Sequence, residues 1–347
     1  MPSPSIYTVA QRAGVSIATV SRVLRDSGPV AATTRERVLA AAAELSWSPN
    51  RLAAGLAARV HGAAGIVFPD LAGPYFSQVV LGFEEQAVAD DRSALILATH
   101  GRLNADEMVL DLAARVDGLV VMDRTVTDEV VRCLEGRGSP VVLLARPAVG
   151  ATPAVRAESL DAATRITAHL IALGHTRLAF LGDPEAAPDV DDRWRGFLLA
   201  HLEAGLPAPG KPVRSGFVQD DGYAAGTALL DNAARPTVVV CANDEAALGV
   251  YAAARDLGLR IPDDVAVTGW DDIPAARAVT PPLATVRQPM RELGRQAGAL
   301  LSARIAGVPA DSLTLPTEIV LRASCGPPAN SRTPTNRIPT PTRRLEP

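Results

Sequence analysis

Two hydrophobic periodicities divide the chain. From Ser5 to about Leu45, apolar residues return every three or four positions: Ile6, Val9, Ala10 and Ala13; then Val20 and Val23; then Val38, Leu39, Ala42 and Leu45. That spacing puts each set on one face of a helix. Ser5 stands where an N-cap belongs, and Gly14 ends the first helix because the tight turn there needs a residue that tolerates positive φ. Ser16 caps a second helix and Thr34–Leu45 predict a third. From Gly62 onward, short aliphatic runs alternate with amphipathic helices. The predicted strands of a first set are 65–68, 94–98, 118–122 and 140–145, with helices near 76–90, 106–115 and 128–136. A second set has strands at 178–181, 215–218, 238–241 and 265–268, and helices near 162–173, 193–204, 222–232 and 245–257. Strands alternating with helices mean parallel sheets covered on both faces. Two such sets leave a crevice at the carboxyl ends of their strands, where ligands of open α/β sheets bind.

The first two helices, joined at Ala13-Gly14-Val15-Ser16, make a helix-turn-helix, a motif whose second helix enters the DNA major groove. The outward side of that helix carries Ile17, Ala18, Ser21, Arg22 and Arg25. Arg22 can donate two hydrogen bonds to guanine O6 and N7, whereas Ile17 and Ala18 can only meet thymine methyls. The alternative is a helical hairpin with a solvated arginine. After Trp47, Asn50 is a good N-cap, and Leu52, Ala53 and Leu56 share one side of a two-turn helix. So short a helix is marginal in water and needs something to dock on. An exposed Leu56 on it is a candidate wedge between base steps of the minor groove; a plain linker with incidental leucines is the competing reading.

Charge agrees with a DNA-binding end. Residues 1–60 carry seven Arg against Asp26, Glu36 and Glu44, a net +4, while the rest of the chain carries −8. A basic head on an acidic body confines phosphate binding to one end. The length, 347 residues, predicts two or three domains, and 48% apolar with 4% aromatic residues predicts a large aliphatic core. Cys133, Cys241 and Cys325 are odd in number and not at metal-ligand spacing, so they read as packing residues in a reducing compartment. No stretch reads as a signal peptide or a bilayer span, and the expected location is cytoplasmic. The loop after the first strand, Pro69–Phe76, lacks phosphate-loop and dinucleotide patterns, the five His are scattered, and no carboxylate pair argues for acid–base catalysis. No catalytic residue, cofactor or metal is expected.

Thr8-Val9-Ala10, Ala13-Gly14-Val15-Ser16, Thr19-Val20-Ser21-Arg22-Val23-Leu24, Thr34-Arg35 and Pro49-Asn50 together resemble the headpiece and hinge of the lactose-repressor (LacI/GalR) family of bacterial transcription regulators, and the resemblance runs to about Cys325. It implies an all-α helix-turn-helix headpiece (1–48), a hinge helix (49–61) and an α/β core of two doubly wound parallel-sheet lobes like periplasmic binding proteins (62–325). Lobe one is expected over 62–160 and 290–325, and lobe two over 161–289. It further implies a homodimer on a pseudo-palindromic operator with a central CG step at the Leu56 wedge. The candidate DNA-binding residues are Thr8, Ser16, Ile17, Ala18, Thr19, Ser21, Arg22, Arg25, Asn50 and Leu56. The candidate effector-binding residues are Phe76, Arg146, Arg193, Phe217, Asn243, Asp271 and Gln288. An arginine fork, an amide and a carboxylate at strand ends suit vicinal hydroxyls; Asn243 and Asp271 as mere loop or helix caps is the alternative.

Ala145-Arg146 and Glu158-Ser159 stand where many relatives have Asp-Arg and Asp-Asn, and Ala162 where they have Gly. These departures bear on the effector, so a nucleobase or nucleoside competes with a sugar. A sugar-binding protein or an α/β enzyme with no transcriptional role are the remaining alternatives. Residues 326–347 are Pro/Thr/Arg-rich without apolar periodicity and read as a disordered tail, with no heptad helix for a tetramer.

Overall fold

The structure, a computed structural model, describes residues 5–24, 28–47 and 61–328. Arg25, the hinge residues Asn50 and Leu56, and the tail beyond residue 328 lie outside the described residues. By its internal contacts the chain forms two units, Met1–Gly62 and Ala63–Pro347.

Among the described residues, the first unit has three helices, α1 (Ile6–Ala13), α2 (Ile17–Leu24) and α3 (Ala32–Glu44). Val9, Ala10, Ala13, Val20, Val23, Val38, Ala41 and Ala42 form its core, with Ile6, Leu45 and Trp47 packed around them. Leu39, expected inward, is 49% exposed. It sits one residue past Val38, about 100° round the helix from the row at 38, 41, 42 and 45.

The second unit holds two lobes. In lobe one, β1 (Ala63–Phe68), β2 (Ser93–Ala98), β3 (Gly118–Met122), β4 (Val141–Leu144), β5 (Ala154–Ala157) and β10 (Leu313–Leu315) make one sheet in the order β10-β5-β4-β3-β1-β2. Every pairing in it is parallel. Successive β1 side chains point to opposite faces, so Ile66 joins α4 (Pro74–Ala89) and α12 (Met290–Ile305), while Val67 joins α5 (Ala105–Ala113) and α6 (Asp128–Gly136). This is why the strands read as unbroken apolar runs. α4 and α12 approach through glycines: a Cβ on Gly82 would lie 1.8 Å from the Arg291 carbonyl oxygen, and one on Gly294 2.0 Å from that of Val79.

In lobe two, β6 (Leu178–Leu181), β7 (Val238–Cys241) and β8 (Ala266–Thr268) are parallel. β9 (Thr285–Arg287) joins β8 through bridges at Thr268–Ala284 and Asp271–Arg287, and β11 (Glu318–Val320) pairs antiparallel with β9. α7 (Leu160–Ala172), α8 (Pro188–Glu203), α9 (Gln219–Leu230), α10 (Asp244–Asp256) and α11 (Pro274–Ala278) belong to this lobe.

Two expectations are corrected. Ser215–Val218 is a loop, not a strand. Only Val213 bridges β6, while the Phe217 carbonyl accepts from Asn243 Nδ2 at 2.7 Å instead of from a strand partner. Nor does all of 290–325 stay with lobe one: Ser324 Oγ donates to the Val267 carbonyl at 2.6 Å and accepts from the Ala284 amide at 2.8 Å, and Cys325 is in the core of lobe two. Cys133, Cys241 and Cys325 are free thiols. No described helix is long and apolar enough to cross a membrane.

Candidate functional site

In the helical unit, the caps fix the angle between α1 and α2. Ser5 and Thr8 form a reciprocal box: the Thr8 amide donates to Ser5 Oγ at 3.4 Å, and the Ser5 amide to Thr8 Oγ1 at 2.9 Å. Gly14 closes α1 at φ +66°, where a Cβ would be strained. Ser16 Oγ accepts from the Thr19 amide at 3.2 Å and lies 2.9 Å from Thr19 Oγ1. Val20 and Val23 are thereby turned into the core, leaving Ile17, Ala18 and Arg22 exposed and Ser21 half-buried. Arg35 Nη1 donates to the Val23 carbonyl at 3.3 Å, tying α3 to the end of α2. Of the residues predicted here, Thr8, Ser16 and Thr19 thus spend polar atoms on caps. Ile17, Ala18 and Arg22 present a free face.

In the larger unit, a cavity of about 340 Å³ lies between the two lobes, within the range of small-ligand sites. Lobe one lines it with Phe76 at the start of α4 and with Met122, Asp123 and Arg124 at the end of β3. Lobe two contributes Asp189 and Arg193 from the first turns of α8, Phe217, Asn243 at the N-cap of α10, and Asp271 beyond β8. Gln288, beyond β9, completes the wall. Arg193 is 5% exposed; its Nη1 donates to the Ala242 carbonyl at 2.6 Å and its guanidinium lies 4.4 Å from the ring centre of Trp270. Gln288 Nε2 donates to Asp271 Oδ1 at 2.5 Å. Asn243 is both wall and cap, its Oδ1 accepting from the Ala246 amide at 3.1 Å. Arg193 Nε, Gln288 Oε1 and Asp123 Oδ2 are buried with no partner, a condition that costs free energy unless a ligand or water fills it.

Burial pushes the Asp271 carboxyl up to about 7, against the opposing pull of Arg193 and of the Gln288 hydrogen bond. Burial also raises Asp123 and Glu245, and raises Asp189 in spite of Arg193 and Arg156. Asp272, next in sequence, goes the other way. Burial raises it, but hydrogen bonds from Arg322, Arg287 and Arg277 outweigh that and hold the carboxyl below its ordinary value. One of two adjacent aspartates is a neutralised structural anchor; the other faces the cavity with an amide for company.

Six of the seven predicted crevice residues meet here: Phe76, Arg193, Phe217, Asn243, Asp271 and Gln288. Arg146 does not, which corrects that expectation. Ala145 turns the chain at φ +56°, and Arg146 Nη1 donates to the Val126 carbonyl at 3.0 Å while Nη2 pairs with Asp128. Its charge closes the start of α6 rather than the cavity. Phe217 is present, but Arg124 covers its ring at 4.3 Å. Sequence reasoning missed Asp123, Arg124, Asp189 and Glu245. The usable signal for the first pair was position: they are the two residues directly after a buried strand, at its carboxyl end.

Two family models match parts of the chain. Residues 5–50 match the model of bacterial regulatory proteins of the lacI family, and residues 167–325 match a periplasmic binding protein-like domain. The HTH-type transcriptional repressor PurR of Proteus mirabilis is 33% identical over 317 residues, covering 90% of this chain and 93% of that protein. Catabolite control protein A of Priestia megaterium is 32% identical, over 92% of this chain and 98% of that one. The Lac repressor dimer bound to operator and the anti-inducer ONPF superposes with a TM-score of 0.85 at 29% identity, covering 93% of this chain and 99% of that one. A complex of the transcriptional regulator CelR with cellobiose superposes at 0.70, also with 29% identity, over 92% and 99% of the two chains.

Proposed function

Because the chain belongs to the lacI family of bacterial regulatory proteins and is a DNA-binding transcriptional regulator, we propose that it is a repressor whose grip on DNA answers to a small hydroxylated ligand in the crevice. Two copies of the chain hold a pseudo-palindromic operator in the cytoplasm, one α2 in each half-site. Arg22 reads a guanine, Ile17 and Ala18 meet thymine methyls, and Ser21 and Arg25 flank them. Thr8, Ser16 and Thr19 set the helix on the backbone, with Asn50 and Leu56 following at the centre of the site. No catalysis is assigned to the chain.

The observation that carries the effector half of this reading is the pair of buried, unpartnered atoms in the cavity wall, Arg193 Nε and Gln288 Oε1. They are a donor and an acceptor without a hydrogen-bond partner, on two residues that line a space the size of a small ligand. Groups on both lobes line that space, so a ligand that bridges them favours one lobe orientation. Only its difference in affinity between orientations can change DNA binding. A nucleobase is the less favoured ligand, because the ring of Phe217 on which it would stack is covered by Arg124. The reading is tested by titrating the protein on its own upstream DNA, with and without monosaccharides and nucleosides. A reading of the chain as a DNA-bound regulator with no small-molecule control predicts no change with any of them.

A further inference from the structure

Arg156 stands in a strand whose neighbours are apolar. β5 lies inside the lobe-one sheet, between β4 and β10, and Val155 and Ala157 on either side of Arg156 belong to the core. A charged residue is rarely kept in such a place unless its charge is paired. The partners lie on the other lobe: Arg156 Nη2 donates to Asp192 Oδ2 at 2.6 Å and to Asp189 Oδ1 at 3.3 Å, both on α8. The three side chains are 26%, 21% and 11% exposed, so these pairs are shielded from much of the solvent that makes surface ion pairs weak. Burial works against the Arg156 charge, and Asp189 and Asp192 outweigh it. Asp192 carries more of the pairing, because its contact is shorter and burial leaves the Asp189 carboxyl raised in spite of Arg193 and Arg156.

Three further observations make this contact releasable and place it where release matters. α8 is the helix that brings Arg193 into the crevice wall, so whatever holds α8 against lobe one also sets the crevice. At the same seam, the Arg124 guanidinium of lobe one lies 4.3 Å from the centre of the Phe217 ring of lobe two, a second contact between the lobes. Neither carboxylate on α8 is left bare when Arg156 lets go: Asp192 also accepts from Arg195 Nη1 at 3.1 Å, and Arg193 acts on Asp189 from the same helix. Release therefore avoids the stranded charge that makes breaking a buried pair costly. The hydrogen bonds at the crossings are of another kind. The Glu158 amide donates to the Leu315 carbonyl at 2.8 Å and Thr317 Oγ1 to the Glu158 carbonyl at 3.2 Å, which ties the crossing segments to one another.

We infer that Arg156 and Asp192 form a latch between the lobes, which without any ligand holds α8 against β5 and so presets the lobe orientation from which the crevice works. A ligand that favours this orientation adds to the latch, and one that favours another must overcome it. The latch itself needs no ligand, whereas its effect on DNA rests on the proposed function. A guanidinium–carboxylate link that is partly exposed also makes the preset orientation sensitive to ionic strength.

The test is pulsed electron paramagnetic resonance on the full chain without ligand. Nitroxides are placed at Glu129→Cys on α6 and Gln219→Cys at the start of α9, one on each lobe, in a Cys133→Ser background; Cys241 and Cys325 are buried. Diluting labelled chain into unlabelled chain isolates the distances within one copy. Arg156→Met is expected to add a longer distance to the distribution, Asp192→Asn to do the same, and the double variant to do no more than either. About 1 M KCl should move wild type the same way and leave Arg156→Met unchanged. Ligand-free operator affinity should change by about threefold or more, in one direction, in both single variants. Thermal unfolding verifies that both variants fold. An unchanged distribution in Arg156→Met overturns the latch, and so do shifts that add in the double variant, as two independent sites would give. Shifted distances with unchanged operator affinity leave the latch standing and overturn the link from lobes to DNA, which belongs to the proposed function.

Discussion

Asp271→Asn should stabilise the ligand-free protein at neutral pH, and by an amount that grows with pH. The Asp271 carboxyl titrates near 7 in the folded chain against 3.8 when exposed. Between those values the folded state keeps a proton that the unfolded state releases, so stability falls as pH rises from about 4 to about 7 and is level beyond. A shift of that size corresponds to about 4 kcal/mol, an upper bound because a wet cavity softens it. The groups facing Asp271 act in both proteins: Arg193 and Asp189 on α8, Glu245 at the start of α10, and Gln288 beyond β9. Repulsion from Asp189 is among the causes of the Asp271 shift, so its relief in the variant is already contained in that figure. Asn also suits the backbone, since Asp271 has φ +113°, a region in which Asn is among the more tolerant residues, and its Oδ1 can still accept from Gln288. Denaturant unfolding at half-unit steps from pH 4.5 to 8.5 reads the difference. A variant more stable by about 1 kcal/mol at pH 4.5, rising to at most about 4 kcal/mol at pH 8, is the expected result. A constant difference across that range would refute the assignment of an unpaid charge to Asp271.

Three further substitutions probe the rest of the molecule. Arg22→Ala should cost about 1–3 kcal/mol of operator binding and relax the preference at one guanine per half-site; equal weakening on operator and random DNA would remove its base-reading role. Ser16→Ala should remove about 1 kcal/mol of capping, read as roughly fivefold faster hydrogen exchange at the Thr19 amide. Gly82→Ala, whose Cβ would lie 1.8 Å from the Arg291 carbonyl oxygen, should part α4 from α12 and cost about 1–3 kcal/mol or more in unfolding free energy.

Much of this was legible because the local signals and the tertiary packing agree. Ser5, Gly14 and Ser16 mark the two short helices, and the same residues form the caps that hold them. The central strands β1, β3, β4 and β7 are unbroken apolar runs, as parallel sheets covered on both faces require. What failed did so where a short segment is decided by one distant partner. Ser215–Val218 has the look of a strand, but the Phe217 carbonyl is claimed by Asn243 from another element. β5 was missed because Ala154-Val-Arg-Ala157 breaks its apolar run with Arg156, whose charge goes to Asp189 and Asp192 on α8. Arg146 and Asp123 each follow a buried strand in lobe one, Asp123 directly and Arg146 one residue further on. The left-handed turn at Ala145 sends one toward α6, while the other faces the cavity; nothing in composition or spacing tells these apart.

The central claim is that a ligand in the crevice changes how tightly the helical unit holds DNA. The most direct measurement is operator affinity of the full chain with and without the monosaccharide or nucleoside that changes it most, in wild type and in Arg193→Ala. A coupling of about 1–3 kcal/mol predicts a change of roughly 5- to 150-fold in wild type and little or none in Arg193→Ala. The same change in both proteins would mean that the ligand acts elsewhere on the molecule, and the account would be wrong.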